Sequence, residues 1–297
     1  MPLRYELRDV NDIVIPLRGK IVSTKMDGFG MPDFQVLSQR RAQQDGVEYV
    51  GSTITQRVVT MGFEIYGKDD IEIWETRREL LDMFSQMPTG FHLRVILPTG
   101  ERFQLDLRYA GGLSLPRPIA GNPFFQTVAV QCLTYDRALW YDPTPVVLSY
   151  STATMLGTWV YPLAFPAGFG SSIVGAADPI VYPGTWRTYP KILIIGPAED
   201  IVISNTTTGK TLTFIATYAL PSGRSCEIDL TPGYKTITNS FTGDDPGALT
   251  DDSDLATFCI QPKPIAAGGV NIINVALTAG GPTTRVRIEY DVLYLGI

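Results

Sequence analysis

The spacing of β-strand signals from residue 143 to the end of the chain most constrains its fold. No amphipathic helix pattern occurs there, and runs rich in β-branched residues return about every 8 to 14 residues. Regular short strands separated by turns are typical of β-sandwiches and jelly rolls. The last run alternates apolar with charged side chains, which places one face on a core and the other in solvent. The predicted strands lie at 191–195, 201–204, 211–217, 225–230, 236–239, 257–260, 269–277 and 284–294.

The first half of the chain combines strand signals with one helix, predicted at about residues 70–87. Asp69 and Asp70 stand where an N-cap and a favourable dipole charge belong. An apolar face recurs at three- and four-residue steps, and we expect it to be core. Its members are Ile73, Trp74, Leu80, Leu81, Phe84 and Met87. The strands are predicted at 13–17, 20–24, 47–66 (two strands, with bends or bulges at Gly51 and Gly62), 91–97, 102–109 and 124–135.

The sequence predicts two domains, 1–142 and 143–297, within which 143–185 is a junction or arm. Residues 143–177 carry no charge. Their prolines, among them Pro145, Pro162 and Pro166, are unsuited to a membrane-spanning helix. We expect extended, partly buried segments there, with part of the apolar surface covered by another subunit.

Charge and cysteine usage exclude several classes of protein. The net charge is -6, and no cluster of lysine and arginine offers the phosphate contacts on which nucleic-acid affinity depends. Cys132, Cys226 and Cys259 lie in strand-like runs at wide spacing, so they are predicted to be small buried side chains rather than zinc ligands or a disulfide framework.

The segment "SNTTTGKTLTF" at 204–214 contains Gly-Lys-Thr, a fragment of a phosphate-binding loop. That loop requires a glycine where Ser204 stands, followed by a helix. A strand pattern follows instead, so we predict a strand, a turn at Thr208 and Gly209, and a second strand.

Catalytic and metal-binding patterns are weak. His92 is the sole histidine, lies in a strand pattern and is predicted to be structural. The aspartates in "GDDPGALTDDSD" offer oxygen ligands for calcium but lack the spacing of a helix-loop-helix site, so turn formation is the favoured interpretation. They are Asp244, Asp245, Asp251, Asp252 and Asp254. We therefore expect neither an enzyme nor a cofactor.

Carbohydrate binding is the alternative function that the residues leave open. Sugars stack on exposed aromatic rings and hydrogen-bond to polar groups in shallow sites. Trp159, Trp186 and Tyr189 lie near or within the second β-rich part of the chain.

An ordered series of segments in the second half resembles the distal tail proteins of long-tailed, non-contractile phages, the siphovirus tail component family. The "LPTGERFQLDLRY" segment and the single helix of the first half are similar to that family more loosely. The series is "TYPKILIIGPAEDIVISNTTTGKTLTF", "SCEIDLTPGYKTI", "DDSDLATFCI", "GGVNIINVAL" and "RVRIEYDVLYLGI".

The resemblance implies a mainly β fold: an N-terminal antiparallel β-barrel or sandwich with one α-helix, and a C-terminal galectin-like or jelly-roll β-sandwich. It also implies a virion protein assembled in the host cytoplasm into a homo-oligomer, usually a hexameric ring, at the distal end of the tail. The expected partners are the tail tube protein, tail-tip proteins and receptor-binding proteins, with DNA only passing through the lumen. The second half has no histidine such as a galectin sugar site uses, so the resemblance implies the fold and not that site.

Overall fold

The computed structural model describes residues 4–15, 20–40, 45–85, 90–115, 125–134, 137–151, 174–263 and 265–297. The chain forms two compact units. The first comprises Met1–Pro143 together with Tyr294–Ile297, and the second comprises Thr144–Leu293. In the described residues, no helix is long and apolar enough to cross a bilayer.

The first unit is an antiparallel sheet with the strand order β2-β1-β7-β8-β9-β6-β3, to which β10 is added beside β8. Strands β4 and β5 form a separate two-stranded sheet. The strands are β1 (Arg4–Arg8), β2 (Val14–Ile15), β3 (Ile21–Asp27), β4 (Phe34–Gln39), β5 (Glu48–Ile54), β6 (Val58–Tyr66), β7 (Phe91–Ile96), β8 (Arg102–Gly111), β9 (Phe125–Leu133) and β10 (Trp140–Tyr141).

The core of the first unit forms where alternate side chains of β6, β7, β8 and β9 meet the helix α1 (Asp70–Ser85). Phe63 of β6 and Phe84 of α1 pack edge to face, with ring centroids 5.8 Å apart. The strands predicted at 91–97, 102–109 and 124–135 are confirmed as β7, β8 and β9, with residues 124 and 135 outside the described residues.

The helix begins as predicted, because the Glu72 N–H donates to Asp69 Oδ1 at 2.8 Å. Its buried face contains Ile73, Leu80 and Phe84. The prediction that Trp74 and Leu81 are core is wrong, since their side chains are 52% and 45% exposed. Met87, predicted on the same face, lies outside the described residues. The buried row also includes Thr76 and Arg77, so the face is rotated away from Trp74.

Strands β2 and β3 coincide with the predicted runs at 13–17 and 20–24, of which residues 16 and 17 lie outside the described residues. They do not pair with each other, because β2 pairs with β1 and β3 pairs with β6, at opposite ends of the sheet order. Strands β1 and β4 were not predicted. The irregularities expected at Gly51 and Gly62 are present, since the ladder shifts register in β5 beside Gly51 and in β3 opposite Gly62.

The second unit is a β-sandwich of two antiparallel sheets, β11-β21-β13-β17-β18-β19 and β12-β20-β14-β15, with β16 beside β14. Side chains of β13, β20 and β21 are buried alternately, which confirms the alternation predicted for the last run. The mainly β fold is confirmed. The strands are β11 (Val146–Ser151), β12 (Val174–Val181), β13 (Lys191–Ile195), β14 (Ala198–Asn205), β15 (Lys210–Thr213), β16 (Ala219–Leu220), β17 (Ser225–Asp229), β18 (Thr236–Asn239), β19 (Gly243–Asp244), β20 (Val270–Thr278) and β21 (Arg285–Tyr290). The last strand, β22 (Leu293–Tyr294), is instead part of the first sheet, where it pairs with β10.

The Gly-Lys-Thr segment forms a hairpin. Strands β14 and β15 are antiparallel, and Asn205 is opposite Lys210. Gly209 has a φ of +67°, a conformation that glycine adopts at no steric cost. The prediction of a turn at Thr208 and Gly209 is confirmed, and no helix begins here.

Two buried asparagines attach a loop to this sheet. Asn271 accepts from the Gln261 N–H at 2.9 Å and donates to the Gln261 carbonyl at 2.8 Å. Asn205 donates to the Cys259 carbonyl at 3.0 Å and to Asn271 Oδ1 at 3.2 Å. Neither asparagine side chain is exposed. A backbone group that lost its hydrogen bond to one of them would therefore stay buried without a partner, which destabilises the fold.

Asn271→Ala should therefore destabilise the protein by roughly 2–4 kcal/mol, measured by chemical denaturation. Asn274→Ala is the matched control on the same strand, because the Asn274 side-chain oxygen has no partner among the described residues. The control should cost less than about 1 kcal/mol. Equal losses from the two substitutions would contradict the role of the asparagine pair.

Candidate assembly surface

The β4–β5 ribbon, made of Phe34–Gln39 and Glu48–Ile54, presents an apolar surface to solvent. In the part of the chain that the structure describes, neither strand pairs with any strand but the other. The exposed apolar side chains on and beside the ribbon are Met31, Val36, Leu37, Val47, Tyr49 and Val50. This surface was not predicted; its signal in the sequence is the pairs of consecutive apolar residues, Val36-Leu37 and Tyr49-Val50, in place of strict alternation.

Both faces of the ribbon are exposed. Val36 and Leu37 are neighbours in β4, so their side chains point to opposite faces, and they are 61% and 42% exposed. A two-stranded ribbon has little stability of its own, and an apolar strand surface without cover invites association. The ribbon thus has the properties of a segment that another molecule covers.

Hydrogen bonds close the ribbon at its base, and the next residues bind to the core. Thr55, just after β5, donates to the Asp33 carbonyl from its N–H at 2.9 Å and from its hydroxyl at 2.8 Å. Arg57 follows two residues later and is 3% exposed. Its guanidinium lies among backbone carbonyls, and burial lowers the pKa of Arg57 to about 10, which leaves it charged at neutral pH.

Arg57 joins segments that are far apart in sequence. It donates to the carbonyls of Gly28 at 2.6 Å, Ala138 at 2.8 Å and Leu295 at 2.7 Å, and also to that of Gly30. Gly28 has a φ of +105°, and a Cβ there would lie 2.7 Å from the Val58 carbonyl oxygen. Both chain segments that lead into the ribbon are therefore held against the core.

Helix α1 adds a second exposed apolar stripe to the first unit. Ile71, Trp74 and Leu81 recur on one side of the helix and are 72%, 52% and 45% exposed. The Arg77 guanidinium lies 4.3 Å from the centroid of the Trp74 ring. Such a stripe is suited to contact with another protein surface.

His92 belongs to a hydrogen-bonded network between β7, β8 and β10. Its Nδ1 donates to Asp106 Oδ1 at 2.7 Å, which also accepts from the Tyr141 hydroxyl at 2.7 Å. Gln104 in turn donates to Tyr141 at 2.8 Å. Among the described residues, Asp106 is the only hydrogen-bond partner of the His92 ring, so the structure joins His92 to no nucleophile.

Comparison with solved structures identifies the fold. The chain is similar to the SPP1 Dit (gp 19.1) protein, a paradigm of hub adsorption apparatus in phages that infect Gram-positive bacteria. The two structures superpose with a TM-score of 0.61, and their sequences are 14% identical. The match covers 97% of this chain and 98% of SPP1 Dit. The chain has the fold of SPP1 Dit. Two structures of the phage P2 baseplate in its activated conformation also match, each with a TM-score of 0.44. The sequence identity is 12% for the structure with Ca and 11% for the structure with Sr. Each match covers 97% of this chain and 98% of the other chain. No protein-family model and no curated protein matches the sequence.

In the described part of this Dit fold, no three histidine, cysteine or acidic side chains come together as metal ligands, and the aspartates at 244–254 therefore do not converge. Asp254 instead accepts from Lys210 Nζ at 2.9 Å and from the Thr211 N–H at 3.1 Å. The three cysteines are free and buried, as predicted.

The aromatic residues considered for carbohydrate binding lie in different settings. Trp159 is outside the described residues. Trp186 is half-buried, with the Arg187 guanidinium 5.5 Å from its ring centroid. Tyr189 is also half-buried, with Lys235 Nζ 5.3 Å from its ring centroid. Tyr189 lines a cavity together with the polar side chains of Arg187, Lys210 and Gln261.

Replacing His92 by Ala should raise the pKa of Asp106. Burial alone would raise the pKa of this carboxyl, but hydrogen bonds from His92 and Tyr141, with the charge of Arg137, hold it below its ordinary value. A lowered pKa stabilises the folded state above the pKa of the unfolded chain, and this stability is lost as the pH falls through the folded-state pKa. Carboxyl ¹³C titration of Asp106 should show the increase, with the Asp229 signal as control. An unchanged Asp106 titration would contradict the network.

Proposed function

We propose that this chain is a structural virion protein of the distal tail hub of a long-tailed phage or tail-like particle. Six copies form a ring that joins the tail tube to the tail tip and its adhesion apparatus. The observation that carries the proposal is the likeness to the SPP1 Dit hub protein, which extends over nearly the whole length of both chains. In this role the chain acts by contact and not by catalysis.

The surface of the first unit supports ring assembly. A ring closes through heterologous contacts, in which each copy offers two different surfaces to its neighbours. The β4–β5 ribbon is one exposed apolar surface, and the stripe of Ile71, Trp74 and Leu81 on α1 is another. In the proposed ring the first unit supplies the contacts between copies, and the second unit contacts tail-tip and receptor-binding proteins.

The charge of the chain supports a hub through which DNA passes. A net charge of -6 disfavours retention of phosphates, which bind to proteins through lysine and arginine. The tail tube protein is the expected partner on one side of the ring. Assembly takes place in the host cytoplasm, and the finished location is the distal end of the tail.

Val36→Lys should prevent ring formation. Lysine on an exposed strand position leaves the fold intact but places a charge in the apolar contact. The purified wild-type protein should have a mass about six times 32.6 kDa by light scattering and should show six-fold rings by electron microscopy. The variant should have the mass of one chain.

Val181→Lys is the matched control, because Val181 is 67% exposed on β12 in the second unit. It should assemble like the wild type. A monomeric wild-type protein would contradict the hub proposal, whereas rings that survive Val36→Lys would contradict only the part assigned to the ribbon.

A further inference from the structure

The second unit contains a cavity of about 590 Å³ that the proposed hub role does not use. It lies between the segment before β13, the β14–β15 turn, and the loop that precedes β20. The residues that bear on binding are Arg187, Tyr189, Thr208, Lys210, Thr257 and Gln261, all in its lining. Its size is within the range of small-molecule sites.

Three cationic side chains lie at or beside the cavity, although the whole chain is acidic. Arg187 and Lys210 line it, and Lys235 lies beside it, donating to the Leu255 carbonyl at 3.0 Å. Burial raises the pKa of the Cys259 thiol, and the charges of Arg187, Lys235 and Lys210 act against that increase. These three cations are therefore close to Cys259, which lines the cavity.

Arg187 is the cation with unused binding capacity. Lys210 pairs with Asp254 at 2.9 Å. Arg187 is exposed and contacts the Trp186 ring, but no carboxylate pairs with it among the described residues. A guanidinium binds phosphate and carboxylate groups through two parallel hydrogen bonds, so it is suited to an anionic ligand.

Tyr189 and Gln261 supply what a sugar ring requires besides charge. Tyr189 is half-buried and offers an aromatic surface at the cavity. Gln261 donates from Nε2 to Cys259 Sγ at 3.2 Å, whereas its Oε1 is buried and has no hydrogen-bond partner among the described residues. A ligand hydroxyl that donated to this oxygen would remove the cost of an unpaired acceptor.

We propose that this cavity binds an acidic saccharide, that is, a sugar that bears a phosphate or carboxylate group. Arg187 binds the anionic group with help from Lys210, Tyr189 packs against the sugar ring, and Gln261 accepts from a hydroxyl. A neutral sugar would leave the Arg187 charge unused, and an inorganic anion would leave Tyr189 and Gln261 unused. The inference goes beyond the hub role, which does not depend on it.

Isothermal titration of the full chain with four probes tests the proposal: glucose 6-phosphate, glucuronate, glucose and inorganic phosphate. The two acidic sugars should bind at least tenfold more tightly than glucose, and glucose 6-phosphate more tightly than inorganic phosphate. Arg187→Ala should weaken the binding of glucose 6-phosphate about tenfold, the effect of one lost charge-assisted contact. Tyr189→Leu should weaken glucose 6-phosphate but leave inorganic phosphate unchanged.

Arg224→Ala is the matched control. Arg224 is exposed in the same unit and lies 4.4 Å from the Phe241 ring centroid, but it does not line the cavity. Its removal should leave all four affinities unchanged. Equal weakening by Arg187→Ala and Arg224→Ala would overturn the proposal. Failure of both acidic sugars to bind would also overturn it, as would equal affinity for glucose and glucose 6-phosphate. The mass of the same samples in solution shows whether they form rings, and this measurement tests the hub role independently of sugar binding.

Discussion

The first unit depends on one buried cation, Arg57, whose guanidinium is bound by backbone carbonyls and by no carboxylate among the described residues. A buried charge is tolerated only when its donors find acceptors. Arginine supplies five donors in a rigid plane, which a lysine cannot match. The hydrogen bonds of Arg57 hold three parts of the chain together. The carbonyls of Gly28 and Gly30 belong to the segment that leads into the ribbon. Those of Ala138 and Leu295 belong to the end of the first unit and to the C-terminal residues.

This constraint connects the core to the proposed function. The β4–β5 ribbon has exposed apolar side chains on both faces, and the bonds of Thr55 and Arg57 hold its base. A ribbon fixed in this way loses less conformational entropy when another molecule covers it than a free loop would. In a hub of identical copies, that molecule is the neighbouring chain.

The sequence predicted the elements whose signals are local. The alternation in β7, β8 and β9, the Asp69 cap of α1 and the β14–β15 turn depend on residues a few positions apart. Other features depend on residues that meet only in three dimensions. Arg57 and Leu295 are 238 positions apart, and the orientation of α1 that exposes Trp74 is set by packing on the sheet. The cavity likewise combines Arg187 with residues up to Ile265, so no single motif indicates it.

Hydrogen exchange of the backbone amides in β4 and β5 tests the central claim most directly, because covered strands exchange slowly and exposed ones do not. Comparison of the assembled wild type with monomeric Val36→Lys should show strong protection at 34–39 and 48–54 in the assembly and its loss in the monomer. The core strands β7 and β8 should be equally protected in both. Equal and rapid exchange of the ribbon in the assembled protein would contradict the claim that neighbouring copies cover it.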